Sequence, residues 1–386
     1  MLLSGSIFYL QKPKDTFVIV AIERLNIKDF LSLSKGNLLL DVRSPGEYSH
    51  AHIPGGKSFP LFSDEERAIV GTAYKQKSRE EAIKIGLDFF GPKMRTMVEK
   101  VEALANNQTK NSEPAARDSK LLFIYCWRGG MRSAAIAWLM DLYGFKVFTL
   151  AGGYKAFRNH TLQTFEQPFQ FKILGGYTGS GKTEVLSALK KQGEKVIDLE
   201  NAASHKGSAF GSFKMPKQPT QEMFENYLAL ELNEMSQHKE NGDVVHPSKG
   251  SAIIWLEDES QRIGNLNIPG ALWENMRRSA IVFLEIPFEQ RLKHIIEEYG
   301  DCDKENLIEA VGRISKRLGG LDAKNAIEFL QNGDISNAFR ILLNYYDKRY
   351  LKGLHNRENV SALLTRIECE NVTPENALLL SKHQTV

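Results

Sequence analysis

Cysteine is scarce in this chain, and long apolar runs are missing altogether. Only three cysteines occur in 386 residues, Cys126, Cys302 and Cys369, odd in number and far apart. That excludes a disulfide-stapled scaffold and fits free thiols in a reducing compartment. No apolar stretch comes near the roughly 20 residues that a membrane-spanning helix needs, so no membrane role is expected. The segment before Ala21 holds one short apolar patch, but Lys12 and Lys14 follow it and no small-residue cleavage site is evident. This argues against a secretory leader and for a cytoplasmic protein. A large charge of one sign is also lacking: the formal net charge is +3, too small to demand a nucleic-acid partner, although a local patch can still bind one. What is present is an ordinary soluble composition, long enough for two domains with cores of their own.

The stretch richest in chemistry is Tyr125 to Ser133, Y-C-W-R-G-G-M-R-S. An apolar run, Leu121 to Tyr125, leads into it and an apolar-periodic segment, Ser133 to Tyr143, leads out, so Cys126 is predicted at a strand-to-helix turn. A helix start offers unpaired N–H groups and the positive end of its dipole, while Arg128 and Arg132 add charge; all favour a thiolate. Gly129 and Gly130 let the backbone curl so that several N–H groups can face one spot. The combination reads as a cradle for an anion attached to, or attacking at, sulfur. The alternative is a buried structural cysteine in a glycine turn.

Upstream, Leu38 to Asp41 has a buried-strand pattern that ends in Asp41-Val42-Arg43-Ser44-Pro45, with a helix start at Ser44 to Tyr48 and a turn at His52-Ile53-Pro54-Gly55-Gly56. Asp41 and Arg43 are expected to form a structural ion pair that props up the cysteine loop. Helical periodicity runs from Arg79 to Ala105, and Asn106 to Lys120 reads as an exposed loop.

A second domain opens with the strand Phe171 to Gly175 and the phosphate loop Gly176-Tyr177-Thr178-Gly179-Ser180-Gly181-Lys182-Thr183, followed by a helix-like segment to Lys191. Backbone N–H groups from Gly176, Gly179, Ser180 and Gly181 would wrap a di- or triphosphate, Lys182 would neutralise it, and the Thr183 hydroxyl would hold Mg²⁺. The apolar strand Ala252 to Leu256 ends in Glu257, Asp258 and Glu259. Glu257 or Asp258, with Asp258 preferred, is expected to hold the water shell of the metal, unless the three are a plain charged strand end. The glycines of His205 to Ser212 suggest a loop that approaches a ligand closely. From Glu289 onward the chain reads as helices, with Arg291, Lys293, Arg313, Lys316 and Arg317 on a solvated basic face.

Asp41-Val42-Arg43, His52-Ile53-Pro54-Gly55, the cysteine loop and Leu150-Ala151-Gly152-Gly153-Tyr154 together resemble the rhodanese family, which carries sulfur as a cysteine persulfide. The C-x5-R spacing from Cys126 to Arg132 is a residue longer than in many single-domain rhodaneses, which implies room for a larger anion. Cysteine phosphatases share the spacing but carry His where Tyr125 stands. With the phosphate loop included, the chain from about residue 21 resembles the tRNA 2-selenouridine synthase family. The residues behind this are 126–133, P-L-F-S-D-E-E-R at 60–67, V-G-T-A-Y-K at 70–75, the loop at 176–183, H-K-G-S-A-F-G at 205–211 and E-D-E-S-Q-R-I-G at 257–264.

The resemblance implies an α/β chain: an N-terminal extension (1–20), a rhodanese-like domain (21–162), and a P-loop NTPase-like parallel-sheet domain with a helical C-terminal part (168–386). It also implies replacement of sulfur by selenium in wobble-position 2-thiouridine. Geranyl diphosphate would first alkylate the sulfur, and selenophosphate, supplied by a selenophosphate-producing enzyme, would deliver the selenium. The partner would be a tRNA anticodon loop. Lys182 would stabilise the departing diphosphate, Arg128 and Arg132 would bind selenophosphate, and Cys126 would act either as a perselenide carrier or as a nucleophile. Trp127 is a candidate for stacking on the base. Rival readings are an ATP-dependent sulfurtransferase or kinase, and a non-catalytic sulfane-sulfur sensor.

Overall fold

The computed structural model describes residues 22–110, 121–236, 238–240, 243–245 and 253–382. The chain divides into two compact units, one made of the residues up to Ser49 together with Gly55–Phe157, the other of Arg158–Val386 together with His50–Pro54.

In the first unit five strands form one parallel sheet: β1 (Glu23–Leu25), β2 (Leu38–Asp41), β3 (Lys57–Ser58), β4 (Leu121–Tyr125) and β5 (Lys146–Leu150), in the order β1-β5-β4-β2-β3. The central strands are short apolar runs without alternation, as expected where helices cover both faces. Leu40, Leu122, Ile124 and Val147 are completely buried. The helix that follows Cys126 spans Met131–Tyr143 and ends at Gly144, whose φ of 105° is the left-handed stop that glycine provides. A helix at Met94–Lys110 continues five residues into the segment read as loop; 111–120 lie outside the described residues.

In the second unit the strands are β6 (Phe171–Gly176), β7 (Lys195–Val196), β8 (His238–Glu240), β9 (Asp243–Val245), β10 (Ile254–Glu257), β11 (Arg262–Ile263), β12 (Leu266–Asn267), β13 (Ala280–Glu285) and β14 (Leu364–Glu368). Five of them make a parallel sheet in the order β14-β13-β6-β10-β7, while β8–β9 and β11–β12 are small antiparallel pairs. Adjacent residues of β6 and β10 face opposite ways. Ile173 and Leu256 pack with Phe224 and Leu228 on one side, Leu174 and Trp255 with Val185 and Leu189 on the other. A third apolar cluster lies among the helices Phe288–Tyr299, Lys304–Leu318, Gly320–Gln331 and Ile335–His355. The C-terminal part is thus helical as expected, apart from β14, which pairs with β13 over five residues and buries Ile367.

Candidate functional site

The cysteine loop begins where β4 ends. Cys126 is buried, and its sulfur receives the Gly130 N–H at 3.3 Å and lies 3.2 Å from the Ser133 hydroxyl. That hydroxyl donates to the Gly130 carbonyl at 3.0 Å. Rotating it about its own C–O bond would turn its proton onto a thiolate, so the loop contains two donors for an anionic sulfur. The loop is pinned by main-chain bonds from Tyr154 N to Cys126 O (2.8 Å) and from Lys155 N to Trp127 O (3.0 Å). Gly129 (φ 63°) and Gly153 (φ 59°) make this possible, because a Cβ on either would run into backbone atoms of the opposite segment.

The expected pair of Asp41 and Arg43 is present and buried, with contacts of 2.6–3.0 Å, and the guanidinium lies 3.8 Å from the centre of the Tyr154 ring. Tyr154 is therefore held from below while its N–H holds the cysteine loop. Trp127 packs on Tyr154 at 5.7 Å and is 37% exposed. Arg128 is exposed, with no side-chain partner among the described residues. Arg132 is not a free cation: Glu47 accepts from it at 2.6 and 3.4 Å. Burial works to raise the Glu47 pKa, but the hydrogen bond and charge of Arg132, the Ser44 amide and Arg67 outweigh it and bring it down to about 2. Sequence reasoning missed Glu47, although it stands in the first turn of the short helix Pro45–His50.

The phosphate loop leaves β6 at Gly176 and feeds the helix Lys182–Lys191. Gly179 (φ 79°) and Gly181 (φ 69°) hold left-handed conformations, and the Lys182 ammonium reaches the Gly176 carbonyl at 3.4 Å. Two supports were not anticipated. Arg291 donates to the Thr178 carbonyl at 3.1 Å while paired with Asp347 at 2.8 and 2.9 Å, so it is a buried brace and not part of a solvated face. Tyr350 receives the Gly176 N–H at 3.4 Å and donates to Asp258 at 2.7 Å.

Asp258, the preferred metal ligand, has its other oxygen on Arg357, which is also buried. Each of its oxygens accepts from protein, and through Tyr350 it is linked to the Gly176 amide of the phosphate loop. The Thr183 hydroxyl instead meets Glu200 at 3.4 Å, and Glu200 N donates to Glu257 at 2.8 Å. The other oxygen of Glu257 is buried without a partner among the described residues. Burial raises the pKa of Glu200, Glu257 and Glu259 alike; repulsion from Asp198 and Glu200 pushes Glu257 further up, and repulsion from Glu200 does the same to Glu259.

Lys182, Thr183 and these carboxylates line a cavity of about 1720 Å³ with the 205–211 loop and the helices Lys304–Leu318 and Ile335–His355. His205 sits between Gly211 and Gly264, neither of which has room for a side chain. Phe213 packs beside Phe210, and Phe224 is plain core.

Comparison with known proteins matches residues 169–373 to the tRNA 2-selenouridine synthase AAA domain and residues 27–160 to the rhodanese-like domain. A tRNA 2-selenouridine synthase of Bdellovibrio bacteriovorus is 32% identical over 379 residues, covering 86% of this chain and 93% of the relative. The chain belongs to the tRNA 2-selenouridine synthase family. Synthases of the same name from Hydrogenovibrio crunogenus and Sulfurovum sp. are each 36% identical, over 73% and 79% of this chain and 76% and 82% of theirs. In this synthase-family chain no helix among the described residues is long and apolar enough to cross a membrane.

Proposed function

We propose that the chain replaces the sulfur of wobble 2-thiouridine in tRNA by selenium, in two steps with separate groups. What supports this most is one combination within a member of the family. A complete phosphate loop has Lys182 facing a large cavity, and a cysteine has its sulfur met by a main-chain N–H and a hydroxyl.

In the first step the thiocarbonyl sulfur attacks C1 of geranyl diphosphate. The C–O bond breaks, diphosphate departs, and the uridine loses its N3 proton. Lys182 and the loop amides hold the departing diphosphate, whose negative charge grows as the bond breaks; this is electrostatic catalysis by preorganised donors. The Thr183 hydroxyl and Glu200 would hold a Mg²⁺ ion, and the Glu257 oxygen that has no partner among the described residues would be a further donor. Mg²⁺ is commonly held by one or two carboxylates, with waters and substrate phosphate oxygens completing its shell. When bound it supplies positive charge to the diphosphate.

Alkylation turns the sulfur into a better leaving group and leaves C2 electrophilic. Selenium from selenophosphate, made by a donor enzyme, then enters there. Arg128 is the free cation for that anion, Arg132 is oriented by Glu47, and Cys126 is the nucleophile. Its thiolate adds at C2, the C2–S bond breaks and geranylthiolate leaves as the thiol; the selenium of selenophosphate then displaces Cys126, and water cleaves the Se–P bond to release phosphate.

The test is anaerobic incubation with 2-thiouridine tRNA, geranyl diphosphate and selenophosphate, followed by mass spectrometry of the nucleosides. Cys126→Ala should stop at the geranylated nucleoside, and Lys182→Ala should never reach it. If wild type forms no modified nucleoside but hydrolyses ATP, the reading is wrong.

A further inference from the structure

The cavity of the second unit is larger than its phosphate loop requires. At about 1720 Å³ it exceeds the ~300–1,000 Å³ usual for small-molecule pockets. Apart from Lys182, its lysines and arginines fall into two groups. Lys206 is paired with Glu298 and Arg313 with Glu309. Lys217, Arg262, Arg277, Arg317 and Arg349 also line it, yet none has a carboxylate within ion-pair distance among the described residues.

Two of these five lie against aromatic rings. The Arg349 guanidinium is 5.8 Å from the Tyr345 ring centre and donates to its hydroxyl at 3.2 Å; Arg277 is 5.6 Å from the ring of Trp273. The mouth is also fixed in shape. Arg313, one turn before Arg317, donates to the Ala209 carbonyl at 3.0 Å, and the Ala209 N–H meets the Tyr346 hydroxyl at 3.3 Å, which ties the 205–211 loop to both helices.

A diphosphate is satisfied by Lys182 and the loop amides. It does not need uncompensated cations and arginine-backed rings around a mouth. A single nucleic-acid strand needs both, because its phosphates seek cations and its unstacked bases seek π faces. We propose that this mouth receives the anticodon loop of tRNA, with Lys217, Arg317 and Arg349 on phosphates and Tyr345 stacked on a base. This rests on the tRNA substrate of the proposed function and adds the surface that holds it.

The test is the affinity of the full chain for tRNA by fluorescence anisotropy between 50 and 200 mM salt. Removing one single-strand phosphate contact flattens the slope of log K against log salt by about 0.7, so Arg317→Ala with Arg349→Ala should flatten it by about 1.4. Tyr345→Ala should weaken binding about 5- to 150-fold with the slope unchanged, as loss of stacking does. Lys324→Ala, exposed but away from the cavity, should match wild type. Inorganic diphosphate affinity, measured by calorimetry, should stay the same in all variants and report an intact cavity. Wild-type slope and affinity in the double variant would overturn the surface while leaving the function standing. Failure of wild type itself to bind tRNA would overturn both.

Discussion

Replacing Glu47 by Gln should weaken the first unit and at the same time strengthen its hold on anions. In the folded chain the Glu47 pKa lies near 2 against an ordinary 4.5, even though burial pushes the other way. A gap of about 2.5 units at about 1.36 kcal/mol each sets a ceiling of roughly 3.4 kcal/mol on what its ionised form contributes. Most of this comes from Arg132, whose side chain is only 23% exposed; Arg67, 52% exposed, adds little through solvent. Because the folded pKa is depressed, the contribution is complete above pH 4.5 and is lost as the pH falls toward 2. By pH 3 about 2 kcal/mol of it is gone. Urea unfolding of wild type and Glu47→Gln should therefore differ by up to ~3 kcal/mol at pH 7 and by about 1.4 kcal/mol at pH 3. Meanwhile Arg132, in the first turn of the helix that follows the Cys126 loop, loses its counter-charge, so alkylation of Cys126 by anionic iodoacetate should speed up relative to neutral iodoacetamide. A stability difference below about 0.5 kcal/mol at pH 7, or one that does not shrink at pH 3, refutes the reasoning.

Two further outcomes follow from the geometry. Gly153→Ala places a Cβ against the Cys126 carbonyl at a φ of 59°, whereas Gly130 has open space and a φ of −107°. Thermal melting should thus show Gly153→Ala losing several kcal/mol and Gly130→Ala within about 1. Glu200→Gln should raise the Mg²⁺ concentration needed for half-maximal geranylation, while Asp258→Asn should leave that requirement alone and lower the melting temperature, because Arg357 loses its buried partner. Titrating both variants with Mg²⁺ decides it.

The cysteine loop and the phosphate loop were legible because each is a contiguous run whose residues act on one another through the backbone. The parallel sheets were legible for a similar reason, since fully buried strands print as short apolar runs. The braces were not. Arg132 finds Glu47 at a separation of 85 residues, Gly176 finds Tyr350 at 174, and Arg291 finds Asp347 at 56, and no local pattern marks such pairs. One signal was available and unused. Side chains alternate along an extended strand, so in the run from Ile254 to Glu259 the residues Glu257 and Glu259 share a side and Asp258 takes the other. The structure has that division: Glu257 and Glu259 gather with Glu200 by the phosphate loop, and Asp258 turns to Tyr350 and Arg357. Period-two reasoning, applied past the end of an apolar run, separates the carboxylates that meet Glu200 from the one that meets Tyr350 and Arg357.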